Sequence, residues 1–176
     1  MKNSLADQLS EKFKRPLITL KKLQYKIEKK DIAVTDENIK IGSIVYLPMS
    51  NNDKGFVVKK GKAKADKMNV VVGFSEDHWA VATLLINTEP DESTDDLSDC
   101  QFPLYPKDYK GILKHKSTLN CAKLFEIPKN RLKAEGNYKG ELIQSDLNSV
   151  LLRIEETIVI EPKEKKKYGI KDKSKQ

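Results

Sequence analysis

Long apolar runs are missing from this 176-residue chain. No stretch approaches the roughly 18 to 20 apolar residues that a membrane-spanning helix needs, which excludes a helical membrane protein. The opening residues, MKNSLADQLSEKF, contain no apolar h-region and do not read as a secretory signal. Cysteine is scarce: Cys100 and Cys121 form neither a C-x-x-C pair nor a metal-ligand spacing, so no metal site is expected. They read as reduced thiols of a cytoplasmic protein, with a single disulfide as the alternative for an exported one. Aromatic residues amount to 7%, so the core must be lean, although the length suffices for one globular domain with extra ends. There is no P-loop, no dinucleotide fingerprint, no zinc motif and no serine triad, and no cofactor is expected.

What the chain has in excess is lysine, and it is unevenly placed. The net charge is +7. Residues 1–40 hold ten basic and six acidic side chains, and residues 162–176 hold seven lysines against Glu164 and Asp172. The body between them carries sixteen basic and eighteen acidic groups, so the basic character belongs to the ends. Within the body the signs segregate again. Glu89 to Asp99 has six acids and no base, whereas Lys107 to Lys139 has nine basic residues and three acids. Such blocks are either solvated faces or, for the basic ones, phosphate-attracting surfaces.

Hydrophobic spacing divides the chain into a helical extension, a β-rich body and a polar tail. Ser4 can cap a helix bearing Leu5, Leu9 and Phe13, and Leu20, Leu23 and Ile27 continue at helical spacing beyond Pro16. Residues 1–38 are therefore expected as an N-terminal helical extension, too short for a coiled coil. Strands are expected at Ile39 to Pro48, Asn69 to Phe74, Trp79 to Ile86 and Ser117 to Phe125, with a short hairpin near Phe56 to Val58. Trp79, at a strand start, is expected in the core. The proline-rich FPLYPKDY segment reads as an edge. Ser145 is the expected cap of a helix with Leu147, Val150, Leu151 and Ile154 on one stripe. The body spans 39–161. The remainder, 162–176, has too little apolar surface to fold alone and is expected to be disordered.

The order of these pieces resembles the PemK/MazF (Kid) family of toxin ribonucleases. Gly42-Ser43-Ile44-Val45-Tyr46 stands where the family opens with a G-[DE]-[VI]-[YW] strand, and Val70-Val71-Val72 stands in its Arg-Pro-Val-Val strand. Ile86-Asn87-Thr88 ends the next strand in the place of Thr-Ser or Thr-Ala. Lys116-Ser117, Leu119 to Phe125, Arg131-Leu132 and Gly140-Glu141-Leu142 follow in the family's order. The match covers roughly Ile39 to Ile160. It implies a β-rich α+β fold, a small SH3-like β-barrel with a C-terminal helix.

The resemblance further implies single-stranded RNA as the target, metal-independent endoribonuclease chemistry, a homodimer and an antitoxin partner. That chemistry needs a base for the 2′-hydroxyl, an acid for the leaving oxygen and a group that holds the phosphate. Met68 occupies the family's arginine place, and a thioether cannot stabilise a phosphorane. Lys67 beside it, Thr88 at the strand end and His78, an imidazole suited to act as acid or base, are the candidates for catalysis. Candidates for RNA contact are Lys59, Lys60, Lys62 and Lys64 in the connecting loop, and Lys114, His115, Lys116 and Ser117 in the basic segment. Tyr105 and Tyr109 are available for base stacking or for the core. The acidic Glu89–Asp99 loop is a candidate mask for the groove. The absence of the arginine keeps a second reading open, a non-enzymatic nucleic-acid-binding or interaction module on the same barrel. A third is a regulator that docks through residues 1–38.

Overall fold

A computed structural model describes residues 31–53, 56–58, 61–88 and 99–174. Most of the expected N-terminal extension lies outside these residues, as do Lys59, Lys60 and residues 89–98 of the acidic loop. The part of the extension that is described is not helical. Ile32–Ala33 forms strand β1, and Thr35 and Asn38 close a turn by exchanging side-chain bonds with each other's backbone N–H, at 2.8 and 3.3 Å.

The rest of the unit from Ile32 onward is β-rich. Strands β2 (Ser43–Ser50), β3 (Lys64–Phe74), β4 (Ala80–Asn87), β5 (Gln101–Leu104), β6 (Ser117–Asn120), β7 (Phe125–Pro128) and β8 (Asn137–Glu141) join β1 in one antiparallel sheet. The path runs β1-β8-β2-β3-β4-β6-β5, and β7 pairs β4 beside β6. Among the described residues β1 and β5 do not meet, so the sheet stays open where a closed barrel was expected. The reason lies at its edges. β1 is two residues long, β5 carries Pro103, which has no ladder donor, and β4 divides its outer edge between two partners. The single strand expected over Ser117 to Phe125 is interrupted by a turn at Cys121-Ala122, and this break lets β7 pair Ala80–Thr83 while β6 pairs Ile86–Asn87.

Both faces of the central strands are buried. Ile44, Val70, Val72, Ala82, Leu84 and Ile86 point into one core, and Val45, Leu47, Met49, Val71, Val81 and Leu85 into the other. This is the period-two alternation of a strand applied to sequences apolar at every position. Helix α1 (Lys129–Glu135) puts Leu132 into the second core. Helix α2 (Gln144–Glu156) puts Leu147, Val150 and Ile154 into the first, at about 1.5–3 kcal/mol of burial each. Leu151 of the expected stripe is only half-buried. Ser145 is not the cap: Ile143 holds that position without a side-chain bond, and Tyr109 serves the helix start from a distance. Its hydroxyl donates to Asp146 at 2.6 Å and accepts from the Ile143 N–H at 3.4 Å.

The segment expected to be disordered folds back onto this body. Pro162–Lys167 is helix α3, and Lys165, Tyr168 and Ile170 are buried. Lys165 is wholly buried, and its ammonium donates to the Glu155 and Thr157 carbonyls at 2.9 and 2.7 Å and to Asp172 at 2.9 Å. Three donors meet three acceptors at the C-terminal, electronegative end of α2. Tyr168 lies over Gly73, where a Cβ would come within 2.5 Å of the Tyr168 carbonyl oxygen. Among the described residues no helix is long and apolar enough to cross a membrane.

Candidate nucleic-acid interface

Strand register decides which predicted site residues meet. Asn87 pairs Thr118, and Thr118 pairs Pro103 on its other side, while Ser117 pairs Leu104. Thr88, Lys116 and Tyr105 each lie one residue past these pairs and share one end of the sheet. Met68 pairs Ile86, which brings Lys67, half-buried, to the same end. Met68 itself packs against the first core.

His78 is at the other end. It sits in the β3–β4 turn, six residues along β3 from Met68, which is roughly 20 Å at strand rise. Its φ of 57° is required by the turn: the His78 N–H bonds the Ser75 carbonyl at 2.8 Å, and Asp77 accepts from the Ser75 hydroxyl and the Trp79 N–H. The grouping of Lys67, Thr88 and His78 is therefore not assembled within the chain. Trp79, expected in the core, is 71% exposed beside this turn.

The basic segment forms a cluster around an aromatic ring. Tyr105 is 43% exposed, with the Lys116 and Lys107 ammonium groups 5.6 and 5.8 Å from its ring centre. These distances lie inside the range of cation–π attraction. Lys114, His115 and Lys116 are exposed, and none forms an ion pair among the described residues. Ser117 departs from expectation. It is buried, and its hydroxyl donates to the His115 carbonyl at 3.1 Å, so it fixes the turn and is unavailable to phosphate. Tyr109 is buried and structural. Lys62 is exposed in the β2–β3 connection, whereas Lys64 lies 3.8 Å from Glu135.

That connection is anchored by a pair that sequence spacing does not reveal. Arg131 of α1 bonds Asp53 through both terminal nitrogens and donates to the Pro48 carbonyl at 2.7 Å. Burial alone would raise the Asp53 carboxyl, but the bonds from Arg131 and from the Ser50 N–H outweigh it and hold Asp53 below its ordinary value. Arg131 is correspondingly raised, chiefly by its bond to Asp53. Among the described residues, no three His, Cys, Asp or Glu side chains converge as metal ligands would. No protein-family model matches the chain, and no curated protein matches it.

Proposed function

We propose that this chain is an RNA-directed protein of the PemK/MazF-like, toxin–antitoxin type, and that it engages single-stranded RNA through Tyr105, Lys107 and Lys116. The observation that carries the reading is the exposed tyrosine flanked by two ammonium groups, with Lys114 and His115 adjacent and without an ion pair among the described residues. A base stacking on Tyr105 displaces an ammonium only as far as the neighbouring phosphate, so stacking and charge neutralisation reinforce each other. An SH3-like scaffold belongs to the same proposal. It is supported by the antiparallel β2-β3-β4 meander flanked by β8 and β7, although the ring stays open among the described residues. A homodimer and an antitoxin partner also belong to it, and sedimentation of the purified chain tests the first.

Cleavage is the second reading, favoured by the position of His115. Its imidazole, a side chain suited to acid–base work, stands between two lysines at the same sheet end as the Thr88 hydroxyl. One experiment addresses both. Fluorescence anisotropy with a labelled single-stranded RNA in EDTA should report binding that weakens steeply with salt. Tyr105→Ala should lose about 1–3 kcal/mol of it. No binding by the unaltered chain at low salt would overturn the RNA reading, and unchanged binding by Tyr105→Ala would move the interface elsewhere. Discrete RNA fragments that disappear in a Thr88→Ala/His115→Ala variant would establish an endoribonuclease, whereas intact RNA leaves a binding module.

A further inference from the structure

Cys100 and Cys121 are 21 positions apart in the sequence and directly opposed in the fold. The Cys121 N–H donates to the Cys100 carbonyl at 2.8 Å, the bond that closes the β5–β6 pairing beyond Gln101–Asn120, with Cys100 in the turn before β5 and Cys121 in the turn after β6. A doubly bonded antiparallel pair holds its Cα atoms about 5.5 Å apart, and the single bond between Cys100 and Cys121 places them near that arrangement, in the neighbourhood of the roughly 4.4–6.8 Å that a disulfide spans. Both thiols lie on the face covered by α2. Cys121 is in the core with Val150 and Ile154, and Cys100 Sγ is 3.5 Å from Thr157 Oγ1, just past the helix end. Arg153 of α2 completes the surroundings, since its guanidinium donates to the Asp99 carbonyl and stands 5.7 Å over the Phe102 ring. Asp99 precedes Cys100, and Phe102 lies two residues beyond it in β5.

From this geometry we infer that Cys100 and Cys121 form a thiol–disulfide site that closes intramolecularly when a small-molecule disulfide supplies the oxidant. Cys100, the partly exposed thiol, reacts first. Its thiolate attacks one sulfur of the external disulfide, a mixed disulfide forms on Cys100, and one thiolate leaves. Cys121 then attacks Cys100 Sγ and expels the second thiolate, and the two cysteine protons end on the two released thiols. Two cysteine thiols are oxidised by two electrons, and the external disulfide is reduced to two thiols. Cys121 is wholly buried, so the external reagent does not reach it and it serves to resolve the mixed disulfide on the adjoining Cys100. The bridge encloses Tyr105, Lys107 and Lys116. Any effect on RNA rests on the function proposed above, but the bridge itself does not.

The test treats the full-length chain at neutral pH with oxidised glutathione, in native buffer and in denaturing urea. Remaining thiols are alkylated, and masses are read intact and after digestion. The native chain should lose about 2 Da, lose alkylation at both cysteines and yield a peptide linked through Cys100 and Cys121. Cys121→Ala, which keeps the buried position apolar, should stop at a glutathione adduct on Cys100. Closure should be faster in native buffer than in urea, because the fold holds the pair together. If the native wild-type chain accumulates the same persistent adduct as Cys121→Ala, keeps both thiols open to alkylation, or closes no faster than in urea, the inference is overturned.

Discussion

Arg131 reaches 78 positions back along the chain to hold Asp53, a carboxylate almost wholly buried at the base of the β2–β3 connection. Removing one member of such a pair leaves the other charge without its partner, which costs more than the pair itself contributes. Asp53→Ala should therefore lower stability by about 3 kcal/mol, the low end for a buried pair, because Arg131 keeps some contact with water. The midpoint of urea unfolding measures this, and a shift under about 0.5 kcal/mol, the range of ordinary surface substitutions, would show the pair to be dispensable. Nothing in the local pattern around Asp53 announces its partner. The basic cluster was legible in part for the opposite reason: Lys114, His115 and Lys116 adjoin in sequence, so their charge needs no fold to concentrate it. The addition of Tyr105 and Lys107 came from the register of β5 against β6. A hydroxyl among lysines resembles a phosphate ligand in sequence, but Ser117 spends its hydrogen on the His115 carbonyl, a bond that only the fold reveals.

At the scale of elements, the parts with strong periodicity were readable. β3 and β4 bury their apolar runs, and α2 buries Leu147, Val150 and Ile154 of its stripe while Leu151 stays half-buried. α1 and β8 were not readable, because KNRLKAE and NYKGE are short and mostly polar and take their conformation from the neighbours they pair with. The C-terminal segment is the clearest case. Its composition is that of a disordered tail, yet Lys165 spends its charge on the exposed carbonyls at the end of α2 and on Asp172. Lys165→Met keeps the length and removes the charge, taking its donor from the Thr157 carbonyl, while the Glu155 carbonyl keeps the Lys173 N–H and Asp172 keeps its bonds from Ser174. We expect a loss of about 3 kcal/mol. We also expect earlier amide exchange at Tyr168 and Ile170 than in the β3 core, and exchange as slow as in the wild-type chain would show that the segment is held by its apolar contacts instead.

For the whole molecule, pH dependence follows from the same contacts. Bonds from Lys133 and Lys129 hold the Asp36 carboxyl down to about 2, and the bonds from Lys165 and Ser174 do the same for Asp172. Both lie below the unfolded value of about 3.9, so their stabilisation is complete above pH about 4 and is lost as pH falls towards 2. Tyr109 and Tyr168 are raised, first by burial and then by their bonds to Asp146 and Glu126. Their folded forms hold the proton more tightly than the unfolded chain, so stability declines as pH rises past about 10. Thermal melts followed by circular dichroism should show a plateau between about pH 5 and 9 with a fall on both sides, and a melting temperature unchanged down to pH 2 would refute the roles of Asp36 and Asp172. The amino-acid sequence by itself determined the β-rich class, the two-faced burial of the central strands, the amphipathic α2 and the local concentration of lysine, all properties of neighbouring residues. Only the tertiary structure decided that the sheet stays open among the described residues, that His78 stands away from Thr88, that Tyr105 meets Lys116, that Cys100 lies beside Cys121 and that the lysine-rich end is anchored. Each of those depends on strand register or on a single long-range bond, and contacts between residues far apart in the chain leave no periodic trace in the sequence.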